Sequence, residues 1–207
     1  RDAQESRGLG DVYKRQVYIT PRNISETSAD IGILVKLDKA ETAEAKAVIY
    51  DPQGKPVTEF FGRADKDRIT LSGKINCPKL WDGVNSPALY RAEITLFCNG
   101  KPVDSIEQEF GIRSYRIDAN NGFFLNGKPY PLHGVNYHQD SYESGWAMTD
   151  AQRERDYRII RDMGCTAVRM AHYQHCDHEY SLCDRLGLCV WTEIGIINKM
   201  SADESDA

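Results

Sequence analysis

Residues 167–180 read AVRMAHYQHCDHEY, and three of the five histidines of the chain, His172, His175 and His178, fall within them beside Cys176. Such a group could hold a metal, activate a thiol or line a substrate pocket. The spacing H-x-x-H-C-x-H matches no common structural zinc pattern, which pairs ligands from two separated segments. A Cys176 nucleophile would need a base and a third group to orient that base, and none is evident. A pocket rim carried mainly by His172 fits better, because a neutral imidazole offers a hydroxyl-bearing ligand one donor and one acceptor. His133, His175 and His178 are expected to be structural or solvated. His133 and His138 lie upstream, so all five histidines sit in the second half of the chain.

The elements that must position these residues alternate. A strand near 131–138 follows a hairpin turn at Asn126-Gly127. Next comes a helix with a Thr149/Gln152 capping box, an apolar stripe of Tyr157, Ile160 and either Met163 or Ile159, and a stop at Gly164. TAVRMAHY is the second strand. Asp177 is expected to cap a short helix carrying Tyr180, Cys183 and Leu186 and ending at Gly187. LCVWTEIGI is the third strand, apolar enough to have both faces buried. Strand, helix, strand, helix, strand implies parallel crossovers. No G-x-G-x-x-G loop follows the first strand, and polar residues crowd the C-terminal ends of all three: Asn136, His138 and Asp140, then Arg169 and His172, then Glu193. That is the face on which (β/α)8 barrels build their sites. Arg169 is suited to hold a carboxylate by a two-pronged bond. Arg169 and His172 have opposite parity on a regular strand, so both reach one pocket only if the strand ends or bulges between them.

Residues 17–112 follow a different period. IGILVKLD (31–38) and AEAKAVIYD (43–51) alternate apolar and polar. Strands are also expected around KPVTEFFG, DRITLSGKI (67–75), ALYRAEITLFC (88–98) and KPVDSIEQEFGI (101–112), with Asn99-Gly100 as a hairpin turn. About seven short strands imply an immunoglobulin-like β-sandwich. Trp81 is expected to be a core or corner anchor. The six cysteines form no close pairs, so free thiols are expected, with Cys77 and Cys98 as the one pair that could meet across strands.

The 207 residues carry a formal net charge of −5 and are 41% hydrophobic. That balance argues against nucleic acid or an anionic membrane as the main partner, and no apolar run approaches a membrane span. The opening RDAQESRGLGDVYKRQ has neither strand nor helix periodicity. Residues 1–16 are therefore expected to be a leader foreign to the parent gene. The acidic, polar end suggests a piece of a larger protein, whose compartment the sequence leaves open.

NGFFLNGKPYPLHGVNYHQD and IIRDMGCTAVRMAHYQHCDHEYSLCDRLGLCVWTEIG together resemble the start of the catalytic barrel of glycoside hydrolase family 2. PKLWDGVNSPALYRAEI and FGIRS resemble the end of that family's central immunoglobulin-like domain. The resemblance covers about residues 17–200. It implies a sandwich over 17–113 followed by the first three strands of a (β/α)8 TIM barrel over 114–207. Around RMAHYQH and LCDRLGL it is most similar to the β-galactosidase branch, with β-glucuronidase, β-mannosidase or a non-catalytic carbohydrate-binding module as alternatives.

The implied activity is a retaining glycosidase with two catalytic carboxylates. The family places these after barrel strands four and seven, so none is expected in this chain, and Asp140 with Glu193 is a poor substitute pair. By the same resemblance His138 and His172 contact sugar and Arg169 lies beneath the pocket. Placement at the strand ends adds Asn136 and Asp140 as candidate sugar contacts and Glu193 as a support of the pocket floor. Tyr137, Tyr142 and Trp146 are candidates for stacking on a sugar face or packing their loop. Some members bind magnesium shortly after the third strand. Here Ile197 and Lys199 stand where ligands would be, so no metal and no other cofactor is expected. Carbohydrate is the implied partner, and a homo-oligomeric parent is left open.

Overall fold

A computed structural model describes residues 16–37 and 43–195 of the chain. The first unit comprises β1 (Gln16–Arg22), β2 (Ser28–Lys36), β3 (Ala43–Tyr50), β4 (Pro56–Asp65), β5 (Arg68–Asn76), β6 (Leu89–Cys98) and β7 (Lys101–Gly111). All neighbours are antiparallel, in the order β1-β2-β5-β4-β3-β6-β7. The expected sandwich is thus one sheet curled on itself. The body of β4 pairs with β3, while its last residues, Ala64 and Asp65, cross to pair with Ile69 and Arg68 of β5.

Alternation explains the core. Ile31, Ile33 and Val35 of β2 point inward, and so do Ala45, Ala47 and Ile49 of β3, Ile69 and Leu71 of β5, and Ala92, Ile94 and Leu96 of β6. Each large side chain so buried contributes about 1.5–3 kcal/mol. Gly73 is required by packing: a Cβ there would lie 1.9 Å from the Phe60 ring. Cys77 and Cys98 are both free thiols. Cys77 follows β5 on one side of the curl, whereas Cys98 ends β6 opposite Ala43 on the other, so the pair does not meet.

A small sheet of β8 (Tyr115–Asp118), β9 (Gly122–Leu125) and β10 (Lys128–Pro129) joins the two units. Its hairpin turns at Asn126 and Gly127, both at positive φ, as the type I′ geometry requires. Trp81 is an anchor, but of the junction. It is 1% exposed, packs on Leu125 and Tyr130, and donates its indole N–H to the Asp184 carbonyl at 2.8 Å. The Arg113 guanidinium lies over its ring.

The second unit comprises β11 (Gly134–Tyr137), α1 (Asp150–Asp162), β12 (Ala167–Met170), α2 (Asp177–Leu186) and β13 (Cys189–Thr192), with β11-β12-β13 parallel and in that order. The Thr149/Gln152 capping box opens α1 as expected. Tyr157 and Ile160 face the core, and Met163 and Ile159 face outward. The N-cap of α2 is Cys176, without a side-chain bond. Asp177 is instead the first helical residue, where its charge favours the positive end of the helix dipole. Gly187 closes α2 in the left-handed region, at φ 77°. The sheet is a barrel-like βαβαβ opening. Val190, Trp191 and Ile194 are exposed, so β13 is not buried on both faces. Among the described residues no helix is long and apolar enough to cross a membrane. The leader expected at 1–16 falls outside the described residues except for Gln16, which already pairs with Lys36 in β1.

Candidate functional site

The parallel register lines up Asn136, Arg169 and Trp191 across β11, β12 and β13. One residue past Thr192, the chain delivers Glu193 to the same end of the sheet. Strand β12 ends at Met170, which lifts the parity constraint and brings His172 to the same side as Arg169. The Ala171–His172 peptide bond is cis.

Arg169 donates from Nε to Glu193 Oε1 at 2.8 Å, and its Nη2 forms an ion-pair contact with the same oxygen at 2.7 Å. Its Nη1 donates to Asn136 Oδ1 at 3.2 Å. The second carboxylate oxygen, Oε2, lies 3.0 Å from His172 Nδ1. Arg169 Nη2 also approaches Nδ1, at 3.4 Å. The shorter contact is to the carboxylate, which only accepts, so Nδ1 carries the hydrogen and Nε2 of a neutral His172 is an acceptor. Among the described residues Nε2 has no hydrogen-bond partner, and the side chain is 57% exposed. Desolvation is the largest single influence on Glu193 and raises its pKa. Hydrogen bonds and charge from Arg169 and His172 together outweigh it, so the carboxyl is held below its ordinary value.

His138 joins this cluster. Its ring centroid lies 5.4 Å from that of His172, and its Nδ1 is 3.4 Å from the Tyr173 hydroxyl. Tyr173 in turn stacks between Trp146 and His175, with centroids 5.0 Å apart on each side. Burial, joined by the charges of Asp140 and Glu179, pushes the Tyr173 phenol up. Asp140 is exposed and forms no hydrogen bond to the Arg169–Glu193–His172 clamp. Tyr137 points into the unit, reaching Asp156 with its hydroxyl at 3.3 Å. Burial drives its phenol strongly upward. Trp146 and Tyr142 are exposed.

The histidine cluster of the sequence therefore separates into three environments. His172 faces the site. His175 is buried against Glu179 at 2.7 Å. His178 turns toward Glu154, 3.9 Å away. His133 has an exposed side chain, and its backbone N–H donates to Thr166. No group of three or more His, Cys, Asp and Glu is placed to hold a metal among the described residues. Ile197 and Lys199 lie outside them. Tyr173 and Glu179 were not singled out from sequence. The available signal was the four-residue spacing of His175 and Glu179 across a helix start.

Two family models cover nearly the whole chain. One, for glycosyl hydrolases family 2, matches residues 12–113, and the other, for the TIM barrel domain of that family, matches residues 117–204. The chain belongs to glycosyl hydrolase family 2. The β-glucuronidase of Bacteroides fragilis is 43% identical over 190 residues, covering 87% of this chain and 27% of its own length. A crystal structure from Bacteroides fragilis, provisionally named a β-galactosidase, superposes with a TM-score of 0.83 at 38% identity, over 88% of this chain and 28% of that one. The crystal structure of Bacteroides uniformis β-glucuronidase gives 0.80 at 32% identity, over 91% and 24%. The chain thus spans about a quarter of the length of these relatives.

Proposed function

We propose that this family 2 segment is the central sandwich and the opening of the catalytic barrel of a retaining β-glycosidase acting on terminal β-linked sugars. A β-glucuronidase is the preferred activity. The reading rests on the Arg169–Glu193–His172 clamp at the C-terminal ends of three parallel barrel strands. It fixes the His172 ring with Nε2 outward, where a sugar hydroxyl can donate to it. His138 stands beside it as a second contact, with Asn136 and Asp140 at the rim.

Glu193 serves as a support. Its carboxyl is held low by Arg169 and His172, which suits a fixed anion and not a proton donor to a leaving group. The two carboxylates of a retaining mechanism are then supplied by other parts of the parent protein. The 43% relative named a β-glucuronidase favours glucuronides over the β-galactosides that the local motifs suggested. The test is a comparison of aryl β-glucuronide, β-galactoside and β-mannoside turnover by the full-length parent enzyme. Preference for glucuronide by tenfold or more in kcat/KM is the expected result. Preference for galactoside would return the β-galactosidase reading.

A further inference from the structure

We propose that His175 is the positioning residue of this site, a buried ring that sets both sugar-facing histidines at once. The inference rests on the glycosidase reading above for its functional meaning, and on geometry for its physical content. His175 is buried, 3% exposed. Its Nε2 lies 3.0 Å from the Ala171 carbonyl, the peptide group that leads directly into His172. Its ring stacks on Tyr173 at 5.0 Å with 20° between planes, and the Tyr173 hydroxyl is 3.4 Å from His138 Nδ1. One arm therefore reaches His172 through the backbone, and the other reaches His138 through an aromatic ring.

The orientation of His175 is itself over-determined. Nδ1 is 2.7 Å from Glu179 Oε2, and the Glu179 side chain is fully buried. Arg153 approaches the other Glu179 oxygen at 3.3 Å without hydrogen-bond alignment, while its Nη1 donates to the Met148 carbonyl. Tyr137 closes the remaining side of the ring, with centroids 6.1 Å apart. Both ring nitrogens face oxygen acceptors, so one hydrogen must lie on Nε2 and another between Nδ1 and Oε2. A ring locked at both ends transmits position, because neither neighbour can turn without breaking a buried hydrogen bond.

The experiment is nitrogen NMR of the histidine rings in the folded 207-residue chain, paired with kinetics of the parent enzyme. The wild-type chain should show a hydrogen on His175 Nε2 and one on His172 Nδ1. An unprotonated His175 Nε2 would overturn the proposal without any variant. In His175→Phe, which keeps a ring against Tyr173, the His172 signals should move while those of His138 change less. In His175→Gln, whose amide can still reach Ala171, the His138 signals should move more. Each variant should lower parent kcat/KM on the order of tenfold, chiefly in kcat, since misplacement weakens the transition state more than the ground state. A folded variant with wild-type His172 and His138 signals would refute the inference even if its melting temperature fell. A parent enzyme that cleaves no β-glycoside would refute the functional reading and leave the ring measurements to decide this one.

Discussion

Arg169 brings two nitrogens to a single oxygen of Glu193, Nε by a hydrogen bond at 2.8 Å and Nη2 by an ion-pair contact at 2.7 Å. That convergence leaves the other oxygen free for His172. A conventional two-oxygen fork would compete with the imidazole for Oε2. The arrangement therefore makes Glu193 a bridge between the floor of the site and its rim.

Loss of that bridge should be visible in the parent enzyme. His172→Ala removes the proposed hydrogen bond to a sugar hydroxyl, worth about 0.5–1.5 kcal/mol for neutral partners and about 1.5–3 if charge-assisted. At about 1.4 kcal/mol per tenfold, kcat/KM should fall on the order of 10- to 100-fold. His138→Ala should behave alike. His178→Ala is the control, because that ring faces Glu154. Equal losses from His178→Ala and His172→Ala would show that the cluster acts as a unit.

The isolated 207-residue chain should turn over no aryl β-glucuronide, β-galactoside or β-mannoside. Glu193 is tied to Arg169 and His172, and among the described residues no second carboxylate joins their clamp. Turnover that disappears in Glu193→Gln would make Glu193 a catalyst and defeat its assignment as a support.

Acid should loosen the clamp in a defined direction. The Glu193 carboxyl sits below its ordinary value of 4.5 when folded, so its contribution to stability is full above that value. It is lost as pH falls through the lower folded value. The stability difference between wild type and Glu193→Gln, read from urea midpoints, should hold from neutral pH to about 5 and shrink below about 4.5. A difference that grows on acidification would contradict the assignment.

The periodicity of the chain made most of the scaffold legible, and its errors have physical causes. Alternation located β2, β3, β5 and β6 because each buries one face. The Thr149/Gln152 box and Gly164 bracketed α1 because helix ends need partners for unpaired backbone groups. β8 escaped notice because Tyr115 and Ile117 are both exposed, leaving no inward stripe to read. The curled single sheet was not legible either, since the crossing of β4 from β3 to β5 depends on a pairing register that alternation does not encode. In the site, residue types at strand ends pointed to Asn136, His138, Arg169, His172 and Glu193. Asp140 was included on the same ground, but it forms no hydrogen bond to the clamp. His175 is expected from sequence to be structural or solvated, and its ring is buried; its spacing from Glu179 is the one signal of its partner. Its links to the Ala171 carbonyl and the Tyr173 ring exist only in three dimensions.

The junction offers a test independent of catalysis. Trp81→Phe keeps the packing on Leu125 and Tyr130 but removes the N–H bond to Asp184. It should cost about 1 kcal/mol, because one hydrogen bond to a part-buried carbonyl is lost. Gly187→Ala should cost more, since its Cβ would lie 2.3 Å from the Gly83 carbonyl oxygen and φ is positive. About 1–3 kcal/mol is expected from the overlap alone. Denaturant midpoints unchanged in both variants would show that the two units do not brace each other.

The apposition of Gly83 and Gly187 also bears on how such proteins can be recombined. The two glycines are far apart in sequence and belong to different units: a Cβ on Gly187 would lie 2.3 Å from the Gly83 carbonyl oxygen, and a Cβ on Gly83 would lie 2.2 Å from the Tyr130 hydroxyl. A chimera that takes its sandwich from one relative and its barrel from another inherits only half of this contact. Donors that both carry glycine at the matching positions should give folded hybrids. Where either donor has a side chain there, the two modules should part at the seam, so the modules must be exchanged together or matched at this pair.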